Sequence, residues 1–419
     1  MKRLLIYSHD TFGLGNIRRM LTISRGLLDS LPGLSILLVT GSPVIHSLQL
    51  ANDVVQSGQS GQSGQSGKLD YIKLPCLTRT ARGEYRAKYL ESTTAEIIGM
   101  RSELILATVR HFAPDLVMVD KKPLGVKGEL EASFNFLRAE RPETRAVLVL
   151  RDVLDRPETI IGNWRRNGHY NALRSFYDRV LILGQQDIFD PVAEYQFPVE
   201  VAERTRFCGY LRREVTADHS RRVRESFQLR AGQRMLLVTP GGGEDGYRVI
   251  DNCLLALAAR AGKVWTNLKT LIVSGPEMPA SQREELRQRA SELPETSFLD
   301  FSSDLLGLIS AADLIVSMGG YNTICEIVSL RKRAIVIPRV EPTEEQWIRA
   351  ARMAPLGLFS VIHPDHLTPE LIGAEIDRNL ESQVEPESPV EMNAHSRLSL
   401  DAKRVINEEV LALLDNGKQ

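Results

Sequence analysis

Residues Phe298 to Gly357 read FLDFSSDLLGLISAADLIVSMGGYNTICEIVSLRKRAIVIPRVEPTEEQWIRAARMAPLG, and this stretch decides the fold. A β-branched run, Leu314 to Ser317, ends just before two glycines, Gly319 and Gly320, and a helical pattern opens near Asn322. Glycines at a strand-to-helix turn let a ligand approach the backbone closely, and the free N–H groups of the helix's first turn attract phosphate. Ser317 closes the strand, Asn322 opens the helix, and Thr323 adds a hydroxyl to the cradle. Glu326 lies about one turn further on, where a carboxylate accepts hydrogen bonds from both hydroxyls of a ribose. The following strand, Ala334 to Pro338, leads into a segment that brings Glu344, Glu345 and Gln346 to the same sheet edge. Open α/β sheets bind ligands outside the carboxyl ends of their strands. The arrangement suits a nucleoside diphosphate, although a Gly-Gly turn by itself also serves simply to turn the chain.

Outward from this stretch, short β-branched runs alternate with longer amphipathic ones, which predicts an α/β protein with parallel sheets. Strands are expected at Arg3 to Ser8, Ser35 to Thr40, Leu116 to Asp120, Ala146 to Leu150 and Val180 to Leu183. A second series falls at Met235 to Thr239, Thr270 to Ser274, Ser297 to Phe301, Leu314 to Ser317 and Ala334 to Pro338. Between the series, Phe207 to Glu214 marks a domain junction. The expected division is a first domain over 1–208, a second over 209–385, and a polar linker with a final helix over 386–419. Four copies of Gln-Ser-Gly at 56–67 are too polar and glycine-rich to order themselves and read as a flexible surface loop.

At 419 residues the chain exceeds what one core usually serves. Lys+Arg 52 against Asp+Glu 53 excludes a bulk charge that would call for nucleic acid. Cys76, Cys208, Cys253 and Cys325 show no C-x-x-C spacing, so neither a disulfide framework nor a zinc site is indicated, and a reducing cytoplasm fits. No segment approaches the ~20 apolar residues that span a bilayer, so any membrane role is expected to be peripheral, at the inner face.

The residues Ala312 to Gly320, Thr323, Glu326, Ile327, Ile337-Pro338, Glu345-Gln346 and Ala350 together resemble the C-terminal domain of the lipid II-type glycosyltransferases. The close match covers about 60 residues. The resemblance implies a GT-B architecture, two Rossmann-like domains with parallel sheets facing across a cleft, and a UDP-sugar as co-substrate with no separate cofactor. It assigns the pyrophosphate to Gly319, Gly320 and Thr323, the ribose to Glu326, and the sugar to Glu345 and Gln346. It also suggests that the final helix packs back on the first domain. Two departures stand out. Leu330-Arg331-Lys332-Arg333 replaces the family's glycine-proline before the next strand. Gly241-Gly242-Gly243 is followed by Glu244 and Asp245, which would repel a pyrophosphate if they faced it and are expected to cap the next helix.

In the first domain, the turn holding Gly13, Gly15 and Asn16 follows the first strand. Relatives of this architecture commonly place a histidine where this chain has Asn16. An amide is no general base near neutral pH, so the proton of a hydroxyl acceptor needs another group. His9 and Asp10 are the candidates, with Asp120 and Asp152 at the ends of two further strands. Lys121, Lys122 and the basic residues Lys68, Lys73, Arg79, Arg82, Arg86 and Lys88 would attract an anionic or lipid-linked acceptor, or simply form solvated surface. The expected function is inverting transfer of a hexose or N-acetylhexosamine from a UDP-sugar to a hydroxyl, without a metal, since no Asp-x-Asp pair stands where a metal-bridged pyrophosphate would want one. A UDP-sugar epimerase, or a nucleotide-sugar-binding protein without catalysis, are the alternatives.

Overall fold

The computed structural model describes residues 2–9, 15–46, 68–79, 84–260, 265, 267–381 and 397–415. The Gln-Ser-Gly tract, Asp10, Gly13 and Arg82 lie outside them. Two compact units result, Met1–Gly209 with Asp401–Gln419, and Tyr210–Leu400.

The first unit is built on strands β1 (Lys2–Ser8), β2 (Leu34–Thr40), β3 (Lys68–Lys73), β6 (Leu116–Asp120), β7 (Arg145–Arg151), β8 (Arg179–Leu183) and β9 (Thr205–Phe207), with the hairpin β4 (Leu77–Arg79) and β5 (Tyr85–Ala87) set apart. Their order is β3-β2-β1-β6-β7-β8-β9, all parallel. The order reverses at β1 and β6, so the ends of these two strands, at Ser8-His9 and Asp120, form the crevice where such sheets bind ligands. Each expected strand of the first series is present. The sequence reading omitted β3, because KLDYIK alternates charge with apolar residues beside a low-complexity tract, and β4, β5 and β9, which have only three residues each.

The final helix, Ala402–Asp415, belongs to this unit. Ala402, Ile406, Val410, Leu413 and Leu414 are buried, the stripe of an amphipathic helix. It packs on the helix Gly15–Ser30, where Asn407 donates to Ser30 Oγ at 2.6 Å. Glu409 pairs with Arg179 at 3.0 Å.

The second unit carries β10 (Arg234–Thr239), β11 (Leu268–Val273), β12 (Thr296–Leu299), β13 (Leu314–Ser317), β14 (Ala334–Val336) and β15 (Ser360–Val361) in the order β12-β11-β10-β13-β14-β15, again parallel. The order reverses between β10 and β13, and Thr239 pairs with Ser317, so the glycine turns after these strands leave the sheet side by side. Leu236, Val238, Leu314, Val316, Ile335 and Ile337 share one core with Ile250, Cys253 and Leu254 of the helix Tyr247–Arg260 and Ile372 and Ile376 of the helix Pro369–Glu381. Each such side chain contributes about 1.5–3 kcal/mol by leaving water. The consequence is a packed sheet whose strands stand in one parallel register.

Candidate functional site

The turn after β13 is built on two different glycines. Gly319 has φ +71°, the left-handed region that only glycine adopts without strain, and a Cβ there would stand 2.5 Å from Val336 Cγ1. Its N–H donates to Ser317 Oγ at 3.2 Å. Gly320 is the N-cap of the helix Tyr321–Ser329, in an extended conformation any residue adopts, and its Cβ direction opens toward Gln346 Nε2 at 3.9 Å. The first N–H groups of a helix have no acceptor within it, so the turn presents donors at the sheet's switch point. Thr323 and Glu326 sit three apart on this helix, on one face, and both are buried. Asn322 lies between them and the turn.

The helix Glu345–Met353 forms the neighbouring wall. Glu345 is buried and accepts from Arg349 Nη2 at 3.1 Å, an i,i+4 pair whose arginine is fully buried. The Arg349 guanidinium also lies 5.4 Å from the centre of the Tyr321 ring, which ties this wall to the first helix turn after Gly320. Gln346 Oε1 accepts the Arg339 backbone N–H at 2.9 Å. The structure thus gathers Ser317, Gly319, Gly320, Asn322, Thr323, Glu326, Glu345 and Gln346 around one strand end. Arg349 could have been read from the Glu-x-x-x-Arg spacing on a helix.

The two sequence departures take definite form. Arg331 holds the left-handed conformation, φ +50°, where a glycine would be unstrained, a backbone cost of about 1–2 kcal/mol. The same turn lets Lys332 Nζ donate to Ala312 O at 2.9 Å. After β10, Gly243 and Gly275 interlock: a Cβ on Gly243 would meet Ser274 O at 2.2 Å, and one on Gly275 would meet Gly242 O at 2.4 Å. Asp245, expected to cap the next helix, instead pairs with Arg339 Nη1 at 3.1 Å. Burial, then the nearby charges of Asp245 and Glu277, raises the Glu244 carboxyl above its ordinary range, with Arg339 opposing.

At the first unit's switch point, Asn16 is structural. It donates to the His9 carbonyl at 2.5 Å and accepts from Arg19 at 3.0 Å, while Arg19 pairs with Asp120 at 2.5 Å. Arg19 and Asp120 are both buried, so Asp120 is committed to its partner. Asp152 is likewise buried, its Oδ1 accepting the Val153 N–H at 2.7 Å. His9 is a buried side chain at the end of β1, and Gly15 begins the first helix; Asp10 and Gly13 fall outside the described residues. Of the basic residues, Lys122 donates to Tyr85 OH at 2.9 Å and Lys73 to Leu74 O at 2.6 Å. In the same unit, Arg101 forks onto Glu129 at 2.6 and 2.9 Å, with Tyr7 OH donating to the same carboxylate. Among the described residues no group of three metal-ligating side chains converges.

Two sheets of this order on separate units, with a glycine turn at the second switch point, define the GT-B fold, and solved structures agree. MurG of Acinetobacter baumannii aligns over 98% of this chain and 100% of its own at TM-score 0.58 and 12% identity. A UDP-GlcNAc 2-epimerase from Neisseria meningitidis, bound to UDP-GlcNAc, aligns over 98% and 100% at TM-score 0.61 and 14% identity. Within that fold, residues 235–407 match the glycosyltransferase family 28 C-terminal domain, and the second half of the chain resembles the C-terminal domain of the lipid II-type glycosyltransferases. A curated relative from Phocaeicola vulgatus, "UDP-N-acetylglucosamine--N-acetylmuramyl-(pentapeptide) pyrophosphoryl-undecaprenol N-acetylglucosamine transferase", is 28% identical over 46% of this chain and 50% of its own. The chain spans about half the length of the curated relatives it matches.

Proposed function

We propose that this protein is a glycosyltransferase that moves a hexose or N-acetylhexosamine from a UDP-sugar to a hydroxyl acceptor, with inversion and without a metal. The observation that carries the reading is the β13 turn, where Gly319, Gly320, Thr323 and Glu326 stand at the switch point of a domain matched to glycosyltransferase family 28. In the reaction, the acceptor oxygen bonds to the anomeric carbon as the bond from that carbon to the diphosphate oxygen breaks. UDP leaves with the electron pair, and a base takes the acceptor's proton. Backbone donors of the turn stabilise the leaving diphosphate. Glu326 receives the ribose hydroxyls, and Glu345 and Gln346 orient the sugar. His9 and Asp10 are the proposed bases.

The proposed acceptor is lipid-linked or anionic and is met at a membrane surface, in line with the undecaprenol-linked substrates named for the curated relatives. Among the described residues, no helix is long and apolar enough to cross a membrane. The epimerase alternative shares the fold, but the curated relative from Phocaeicola vulgatus carries the transferase name. The test is Glu326→Ala with UDP binding measured by calorimetry. A loss of tenfold or more is expected, and unchanged affinity refutes the ribose assignment. Transfer by both His9→Ala and Asp10→Ala at the wild-type rate would remove the proposed bases.

A further inference from the structure

The residues assigned to the donor carry two carboxylates, Glu326 and Glu345, and no cation, yet a diphosphate is strongly anionic. Arg349 does not fill that need, because it is fully buried against Glu345. Arg339 is placed differently. It follows β14 by three residues, and Asp245 follows β10 by six. Since β10 and β14 flank β13 in the sheet, their 3.1 Å ion pair joins the two loops on either side of the Gly319-Gly320 turn. The Arg339 backbone is tied to Gln346, whose amide nitrogen faces Gly320. Its side chain retains 24% exposure, and its Nε–H is shielded from solvent with no acceptor among the described residues. A guanidinium carries five donors in a fork that matches phosphate oxygens. Here part of that fork is held by a carboxylate that an incoming diphosphate could replace.

We propose that Arg339 is the cation that meets the donor's diphosphate, and that Asp245 holds it in place until the donor arrives. The inference rests on the nucleotide reading of this site. It gives Asp245 a role beside a phosphate site that would otherwise repel it, as the stand-in anion.

The experiment compares UDP with uridine, which lacks the phosphates, by calorimetry on the full chain and on Arg339→Gln, Arg339→Lys and Asp245→Asn. Arg339→Gln is expected to weaken UDP about ten- to hundredfold, the range for a hydrogen bond to a charged group, with uridine affinity unchanged. Arg339→Lys should recover part of the loss. Asp245→Asn, which frees the guanidinium, should tighten UDP a few-fold. Wild-type UDP affinity in Arg339→Gln overturns the inference. So does an equal loss for UDP and uridine, which marks a merely structural arginine, or an Asp245→Asn loss as large as that of Arg339→Gln, which marks the pair itself as the site's frame. Failure of the wild-type chain to bind either compound refutes the nucleotide reading, and this inference with it.

Discussion

Gly319 and Gly320 are adjacent, yet alanine at each should act in opposite ways. At Gly319 the left-handed φ of +71° costs an alanine about 1–2 kcal/mol. Its Cβ would lie 2.5 Å from Val336 Cγ1, and Val336 is a fully buried β14 residue with little room to yield. Overpacking of that kind costs about 1–3 kcal/mol. Alanine also restricts the unfolded chain, which offsets about 0.4–1 kcal/mol. The net loss is about 2–4 kcal/mol, and at roughly 2–4 °C per kcal/mol for a unit of this size it lowers the apparent Tm by on the order of 10 °C. Gly320 has an unstrained φ of −57°, and its Cβ would meet only Gln346 Nε2 at 3.9 Å, so Gly320→Ala should melt within about 2 °C of the wild type or slightly above it. That methyl group would occupy space a ligand needs, so UDP binding should fall in Gly320→Ala although the fold is intact. Thermal melts with and without UDP separate the two effects. Equal melting of both variants, or full UDP affinity in Gly320→Ala, would refute this account of the turn.

Arg349→Met removes the cation that pairs with the buried Glu345 carboxylate and should cost about 3–5 kcal/mol in thermal or denaturant unfolding, most of it recovered in Glu345→Gln/Arg349→Met; an additive double variant would show that the pair is not coupled. His169 gives a pH dependence. Burial, and then the Lys122 charge, lowers its pKa from 6.5 to about 4, so between these values the unfolded chain binds a proton that the folded chain does not. Stability from this group is therefore full above pH 6.5, falls by about 3 kcal/mol as the pH drops to about 4, and is level below that. His169→Phe should remove that slope from melts taken across the window, and a slope of wild-type size in the variant would count against the assignment.

The donor turn was legible because everything that makes it is local: strand, two glycines, helix and a carboxylate one turn on fall within Leu314 to Glu326. Short edge strands were not. β9 and β15 hold three and two residues, and the hydrogen bonds of a neighbouring strand, rather than their own pattern, make them strands. Asn16 showed in the sequence what it does not do, since an amide is no base; what it does hold, the His9 carbonyl and Arg19, required the fold. Arg349 could be paired with Glu345 by helical spacing alone. Asp245 and Arg339 are 94 positions apart and meet only because β13 lies between β10 and β14. The sequence reading therefore foresaw the charge of Glu244-Asp245 as a problem without seeing its partner.

That partner differs in kind from the other arginines paired in the two interiors. Arg19 with Asp120, Arg101 with Glu129 and Arg349 with Glu345 are almost wholly out of water. Separating any of them breaks a buried ion pair at a cost of about 3–5 kcal/mol, more than one hydrogen bond to a phosphate returns. These pairs are framework, and a substrate does not exchange into them. The Arg339–Asp245 pair is 24% and 37% exposed, and an ion pair that water reaches costs only about 0–1 kcal/mol to separate. By this comparison of magnitudes Arg339 can change partners while Arg19, Arg101 and Arg349 stay where they are. The feature that makes the Arg339–Asp245 bridge weak as a stabiliser is therefore the one that fits it to serve the donor site.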